Sequence, residues 1–458
     1  MIEVVQAYDR ARITELPADD AAALEAKIEA ARKLHLDRGA WLKPHERIEI
    51  LTRLAGLIAG KREMFGTLIA REGGKPYTDA LIETDRAIDG VHCAIDVIRG
   101  HAGVEIPMGL TAASDHRRAW TIKEPIGVVA AISAFNHPLN LAVHQVAPAI
   151  ATGCPVIIKP AGSTPLCTME LAKLVLEAGM PEGWVQTFLP EERGLSEKFA
   201  TDPRIAFLSF IGSAKVGWSL RSKIAPGTRC ALEHGGVAPV IVDRTADLDA
   251  IIEPIAKGGY YHAGQVCVSV QRIYVHADIV DEFTDRFAAR VAALRNGDPV
   301  SPETDVGPLI NPGEADRVES WVAEAVAAGA RQIGGGRFNE TTLLPTILVN
   351  PPVDSKVASH EVFGPVTCIF PYTDLDEAIA AANSLPVAFQ SSIFTRDLGV
   401  ALDAAERLDA SAVMINDHSA FRTDWMPFAG RRTSGHGTGG IPYTAHEMTA
   451  EKMIVFKS

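Results

Sequence analysis

No two cysteines of this chain form a Cys-x-x-Cys pair, although it holds six (Cys93, Cys154, Cys167, Cys230, Cys267 and Cys368) in 458 residues. That scatter argues against a disulfide framework and predicts reduced thiols in a cytoplasmic compartment. No His/Cys cluster has ligand spacing, so no metal site is expected. Positive charge is also short: 44 Lys and Arg stand against 57 Asp and Glu, a net charge of −13. Phosphate backbones and anionic bilayers would be repelled, which speaks against a nucleic-acid or membrane partner. An anionic small ligand stays open, because local arginines and helix N-termini can hold one. The most apolar run, "NLAVHQVAPAIATGCPVII", is broken by His144, Gln145 and Pro148 and does not read as a membrane span. "MIEVVQAYDRARITELP" has no apolar h-region and so gives no secretory signal. Tandem repeats and low-complexity segments are missing too. What remains is an ordinary globular composition, 47% apolar and 22% charged, in a chain long enough for roughly two or three domains.

The first third reads as helical. Asp19 or Asp20 can cap a segment whose Leu24, Ile28 and Ala31 share one face. Pro44 suits a first helical position ahead of the stripe Ile48, Leu51, Ala55 and Ile58. "HRRAWTIKEP" (His116 to Pro125) changes to short extended alternation, as in a projecting β-ribbon used for assembly. From Gly127 on, apolar runs such as "GVVAAIS", "CPVIIKP" and "IAFLSFIGS" alternate with helical patterns, the signature of a parallel sheet covered on both faces. The pattern restarts after "LEHGG" with "PVIVD", "QRIYV", "PTILV", "PVTCIFPY", "SSIFT" and "SAVMIN". The expected fold is therefore α/β, with two doubly wound parallel-sheet domains. "KMIVF" is too isolated to complete a sheet, so its edge is expected to pair with the ribbon near Trp120 or with another subunit.

Several residues stand where chemistry needs them, each with a plainer structural alternative. "FLSFIGSAKVG" puts Gly212, Ser213 and Gly217 where a strand turns into a helix, a place for a phosphate. The spacing is not GxGxxG, and an ordinary turn would look the same. Lys159 follows the strand "VIIK", where a ribose or phosphate could be met, or only solvent. Asn136 ends a strand before Pro138, as an amide donor to developing negative charge or as a turn residue. Glu233, between an apolar strand and two glycines, is a base with a burial-raised pKa or a loop carboxylate. Glu361 and Phe363 in "HEVFGPV" could hold a sugar diol and pack a flat ring. Cys267 in "GQVC" is a buried apolar residue or a nucleophile.

Taken together, "FNHPLN", "VIIKP", "FIGSAKVG", "LEHGG", "GQVC", "EVFGP" and "PFAGRRTSG" resemble, in order and spacing, the NAD(P)-dependent non-phosphorylating aldehyde dehydrogenases, with a lean toward a lactaldehyde dehydrogenase-like branch. The resemblance runs from about Pro17 to the C-terminus. It implies a Rossmann-like cofactor domain (1–115 and 126–234), a catalytic domain (235–425) and a small bridging element for oligomerisation (116–125 and 440–458), assembled as a homodimer or homotetramer. It also implies that Cys267 attacks a small aldehyde to give a thiohemiacetal, with Asn136 and the Cys267 N–H facing the oxyanion. Hydride transfer to NAD or NADP then leaves a thioester, which water activated by Glu233 hydrolyses. Lys159 is expected at the adenine ribose, Gly212 and Ser213 at the pyrophosphate, Glu361 at the nicotinamide ribose with Phe363 beside the ring, and Ser133 and Phe135 along the cofactor.

Departures from the family pattern shape the rest. Gly162 stands where many NAD-preferring relatives have a glutamate that repels a 2′-phosphate, so NADP is expected to be accepted. His234 replaces the usual leucine after the glutamate, either tuning Glu233 or sitting at a backbone contact. Val266 lacks the arginine common in relatives that take phosphorylated or phosphonylated aldehydes. Val266, Val268, His144 and Arg422 are the candidate substrate contacts. A polar His144 on the tunnel wall would favour a hydroxylated aldehyde such as lactaldehyde or glycolaldehyde, whereas Arg422 could grip a carboxylate bidentately or lie on the surface. A CoA-acylating semialdehyde dehydrogenase generally lacks the base that Glu233 supplies, and a catalytically idle relative would not need Cys267, Glu233 and Asn136 together.

Overall fold

The computed structural model describes residues 1–457, Arg193 by its backbone alone. Local signals act as the sequence predicts. Asp20 caps the helix Ala21–Leu36, its Oδ1 accepting from the Ala23 N–H at 2.8 Å, a contact worth about 1 kcal/mol. Leu24, Ile28 and Ala31 form its buried face. Pro44 opens the helix Pro44–Gly60, which buries Ile50, Leu51, Leu54, Ala55 and Ile58.

Two large sheets organise the molecule. The first has six strands in the order Gly435–His436, Arg229–Glu233, Ile205–Ile211, Val128–Ile132, Val156–Lys159, Val185–Thr187. All neighbours run parallel except Gly435–His436, which lies antiparallel beside Arg229–Glu233. Val128–Ile132 is buried at every position, as a strand covered on both faces must be. The second sheet has seven strands, Arg331–Gly334, Thr346–Val349, Val366–Tyr372, Arg272–His276, Pro239–Val242, Gln390–Phe394, Ala412–Ile415. Here Arg331–Gly334 is antiparallel to its neighbour, an edge strand whose polar sequence gave no alternation to read. A third sheet pairs Thr449–Lys457 with Arg117–Pro125 and then Glu105–Ile106. Ile454 sits opposite Trp120, so the isolated C-terminal strand finds its partner within the chain.

The winding of the first sheet places the site. From Val128–Ile132 the chain builds one way through Val156–Lys159, then returns to add Ile205–Ile211 on the other side. A crevice opens beyond the strand ends at such a reversal. Ser133, Phe135 and Asn136 follow one of these strands, and Gly212 and Ser213 follow the other. Facing them are loops that enter the second sheet, with Cys267 ahead of Arg272–His276 and Glu361 and Phe363 ahead of Val366–Tyr372. Among the described residues no helix is long and apolar enough to cross a membrane.

Candidate active site

After the helix Leu248–Tyr260 the backbone turns through His262, Ala263 and Gly264 at φ of 49°, 54° and 71°. Gly264 is required here, since a Cβ would lie 2.1 Å from the Gly364 carbonyl oxygen. Gln265 then pins the loop. Its Nε2 donates to the carbonyls of His262 (3.2 Å) and Pro308 (3.1 Å), and its Oε1 accepts from the Ile310 N–H at 3.0 Å. Cys267 follows on a loop fixed further by the Gly236 N–H, which donates to the Cys267 carbonyl at 3.2 Å. The "GQ" of the motif is therefore a support for the cysteine.

Asn136 reaches the same loop, its Nδ2 donating to the Gln265 carbonyl at 2.9 Å. One amide hydrogen is used this way and the other is left for the cavity. The chain that carries Asn136 is held from behind by Glu83, whose Oε1 accepts from the N–H groups of Leu139 (3.0 Å) and Asn140 (3.1 Å). Glu83 also pairs with Lys75, both completely buried. Removing one partner of such a pair typically costs ~3–5 kcal/mol.

Burial pushes the Cys267 thiol up to about 12, with Glu361 and Glu233 adding to the shift and the Arg422 charge opposing it. The resting thiol is thus protonated near neutral pH and needs a base. Burial also raises Glu233, and Arg422 alone opposes it. A carboxyl held in this way can accept a proton near neutral pH. Val266, Val268, Phe389 and Phe428 form an apolar cluster against which Cys267 packs.

The opposite end of the cavity fits a dinucleotide. Ser213 is the N-cap of the helix Ala214–Arg221 but makes no capping bond to it, leaving its hydroxyl and the first N–H groups to an anion. Glu361 is half-buried with its Oε1 out of solvent, and desolvation lifts it to about 8, opposed by Arg317. Its Oε1 has no protein partner, a costly state that a ribose hydroxyl would relieve. Gly235 makes room for it, since a Cβ there would sit 1.6 Å from that oxygen. Phe363, at φ 49°, meets Phe135 edge-on with centroids 5.7 Å apart. Burial lowers Lys159, whose Nζ donates only to the Pro160 carbonyl at 3.3 Å. The Ser133 hydroxyl is buried without a partner. His234 turns away from Glu233's carboxyl: its Nδ1 lies 2.8 Å from the Gly212 carbonyl and its ring meets Phe210 and Trp218. It is a backbone-contact residue that steadies the turn at Gly212.

The cavity wall near Cys267 also holds a charged chain that no sequence motif marks. Arg86 donates to Asp424 through Nε (3.2 Å) and Nη2 (2.8 Å). Asp424 also accepts from Asn140 Nδ2 at 3.0 Å and lies 2.7 Å from His144 Nε2. His144 Nδ1 in turn lies 3.4 Å from Arg422 Nη2. Burial pushes His144 down to about 4, so it is neutral and passes a hydrogen bond from Arg422 on to Asp424. His144 is therefore behind Arg422 and not on the cavity wall, and the expected preference for a hydroxylated aldehyde loses its basis. Arg422 itself is no surface residue. Its guanidinium stacks 3.5 Å from the Phe428 ring centroid, its Nε has no partner, and burial lowers its pKa.

One cavity of about 1240 Å³ takes in the sequence-predicted site residues except His144, Gly162 and Gly217, together with Arg86, Arg317 and His137. A signal for Arg86 exists: Asp79, Glu83 and Arg86 recur at helical spacing toward the buried face of the helix Tyr77–Gly100. Charges on an apolar stripe mark a buried polar cluster.

Comparison with known proteins agrees with this architecture. Residues 1–454 match the model of the aldehyde dehydrogenase family. A 3-sulfolactaldehyde dehydrogenase from Priestia aryabhattai is 39% identical over 412 residues, 90% of this chain and 86% of that protein. A lactaldehyde dehydrogenase from Methanocaldococcus jannaschii is 36% identical over 458 residues, 99% of this chain and 97% of that protein. The crystal structure of a glyceraldehyde-3-phosphate dehydrogenase from M. jannaschii, complexed with NADP, superimposes with a TM-score of 0.95 at 35% identity, covering 100% of this chain and 99% of that one. Strand order, cavity and family match converge: the chain belongs to the aldehyde dehydrogenase family.

Proposed function

We propose that the protein oxidises a short aldehyde to its carboxylate with NAD or NADP, through a thioester on Cys267. The observation that carries this reading is the bond from Asn136 to Gln265, which ties an amide donor to the cysteine loop inside the cavity that Glu233 also lines. Bound NAD(P)+ supplies the hydride acceptor; the residues of the chain account for the other steps.

The thiol gives its proton to water in the cavity and its sulfur adds to the aldehyde carbon, forming a C–S bond while the carbonyl electron pair moves onto oxygen. Asn136 Nδ2 and the Cys267 N–H donate to that oxygen. Such preorganised donors stabilise the charge as it develops. Loss of hydride leaves the thioester. Glu233 removes a proton from water, the resulting hydroxide adds to the acyl carbon, and the C–S bond breaks to release carboxylate and regenerate sulfur. The net change is aldehyde, NAD(P)+ and water to carboxylate, NAD(P)H and two protons.

Lys159, Ser213, Glu361 and Phe363 are the groups proposed to hold the cofactor. Gly162 leaves open space, with nothing within 4 Å of a Cβ built there, which supports acceptance of a 2′-phosphate. The third sheet exposes Trp120, Ile122 and Phe456 on one face, an apolar surface proposed to be covered in a homodimer or homotetramer. Reduced-cofactor absorbance with a panel of short aldehydes tests the reading. Wild type turns over and Cys267→Ala does not; equal turnover by both would overturn it.

A further inference from the structure

The arginine pair at the substrate end has a charge left over. Asp424 is shared by Arg86, His144 and Asn140. It is held well below the usual carboxylate range despite its burial, by His144 and Arg86. Its single negative charge is therefore balanced by Arg86. Arg422 has no carboxylate within the 4.0 Å of an ion pair among the described residues, and its only protein hydrogen-bond partner is the neutral His144. Arg86 keeps Nη1 without a protein acceptor. Both guanidiniums line the cavity that holds Cys267.

A half-buried guanidinium with no ion-pair partner and a buried, unpartnered Nε stays protonated and gains most from an anion brought into the cavity. The carboxyl groups on the same walls are Glu197, Glu233, Glu314 and Glu361. Glu197 pairs with Lys223 and Glu314 with Arg317, burial pushes Glu233 and Glu361 toward the neutral form, and none of the four forms an ion pair with Arg422. The remaining source of negative charge is the occupant of the cavity. Arg422 is also prearranged to receive one. The Phe428 ring fixes the plane of its fork and His144 takes one Nη2 hydrogen, leaving its other N–H groups in the plane that a carboxylate or sulfonate matches.

We propose that the aldehyde oxidised here carries an oxyanion, carboxylate or sulfonate, at the end remote from the carbonyl, held by Arg422 with Arg86 beside it and with His144 and Asp424 as positioning residues. This deepens the reading of the site as an aldehyde-oxidising one and rests on it. A neutral aldehyde of the same length would cover the Arg422 charge without pairing it, so the site selects against such substrates as well as for anionic ones.

The test compares kcat/KM for 4-oxobutanoate, its methyl ester and 3-oxopropane-1-sulfonate in the wild-type protein, Arg422→Gln and Arg422→Lys. Wild type is expected to favour 4-oxobutanoate over the ester by at least ~30-fold, the usual scale for a desolvated charge pair. Arg422→Gln is expected to bring the ratio to about unity, with Arg422→Lys between. His144→Leu is expected to raise KM for the anionic aldehydes more than it lowers kcat. The sulfonate arm decides which oxyanion the fork prefers. Equal use of acid and ester by the wild-type protein overturns the proposal. So does an equal loss for both in Arg422→Gln, which would place Arg422 with Cys267 and not with the substrate's far end. Calorimetric titration of succinate into the wild-type protein and Arg422→Gln reads the same site without turnover. Arg422-dependent succinate binding with no aldehyde oxidised would sink the proposed chemistry and keep the anion site, whereas no succinate binding to the wild-type protein overturns the anion site.

Discussion

The Asn136 side chain donates a 2.9 Å hydrogen bond to the carbonyl of Gln265, across 129 positions of sequence and two residues ahead of Cys267. The contact joins a strand end of the first sheet to the loop entering the second. If the remaining amide hydrogen serves the oxyanion, Asn136→Ala lowers kcat by about 10²–10³-fold. Stopped-flow measurement of the first cofactor reduction checks this. A loss confined to KM would assign Asn136 to binding.

Glu233 is raised by burial and must be ionised to take a proton from water. The rate of thioester hydrolysis is therefore expected to climb as pH rises through that raised value and to level off above it. Glu233→Gln removes this limb and gives a burst of about one reduced cofactor per site followed by slow turnover. Linear kinetics in the variant, with the limb intact, would move the base elsewhere.

Gly162 has open space around it, so a carboxylate can be added without repacking. Gly162→Glu is expected to lower kcat/KM for NADP by at least ~10-fold while NAD use changes little, since like charges at the ribose repel. A proportional loss for both cofactors would mean that this turn does not face the 2′-position.

His144 bears on stability. Its pKa falls from 6.5 to about 4 on burial, so between those values the unfolded chain binds more protons than the folded one. Stability is full above about pH 6.5 and is lost as pH falls toward 4, by up to ~3 kcal/mol from this group. Urea unfolding across that window reads the slope. His144→Asn should reduce it, and an unchanged slope would assign the acid sensitivity to other groups, with the buried His137 and His262, both lowered well below 6.5 by burial, first among them and His101 after them.

Much of this was legible in the sequence because the chemistry lies in short, contiguous motifs. Cys267, Glu233 and the glycines beside them sit at strand ends whose apolar runs announce themselves. The Arg86–Asp424 pair was not legible, because its members stand 338 residues apart and only the folded chain brings them together. His144 was misplaced for a related reason: the helix Asn140–Thr152 is buried at every position, so periodicity gives no inward face and its polar residues point at protein on all sides. The strands Gly435–His436 and Arg331–Gly334 escaped because one is two residues long and the other has no apolar alternation.

The central claim is that Cys267, and none of the other five cysteines, carries the acyl group. The most direct measurement is peptide mass spectrometry of Glu233→Gln quenched after incubation with aldehyde and NAD(P)+. An acyl mass on the peptide containing Cys267, absent when cofactor is omitted, is the predicted result. Reduced cofactor accumulating with that peptide unmodified, or the acyl mass found on another cysteine, would contradict it.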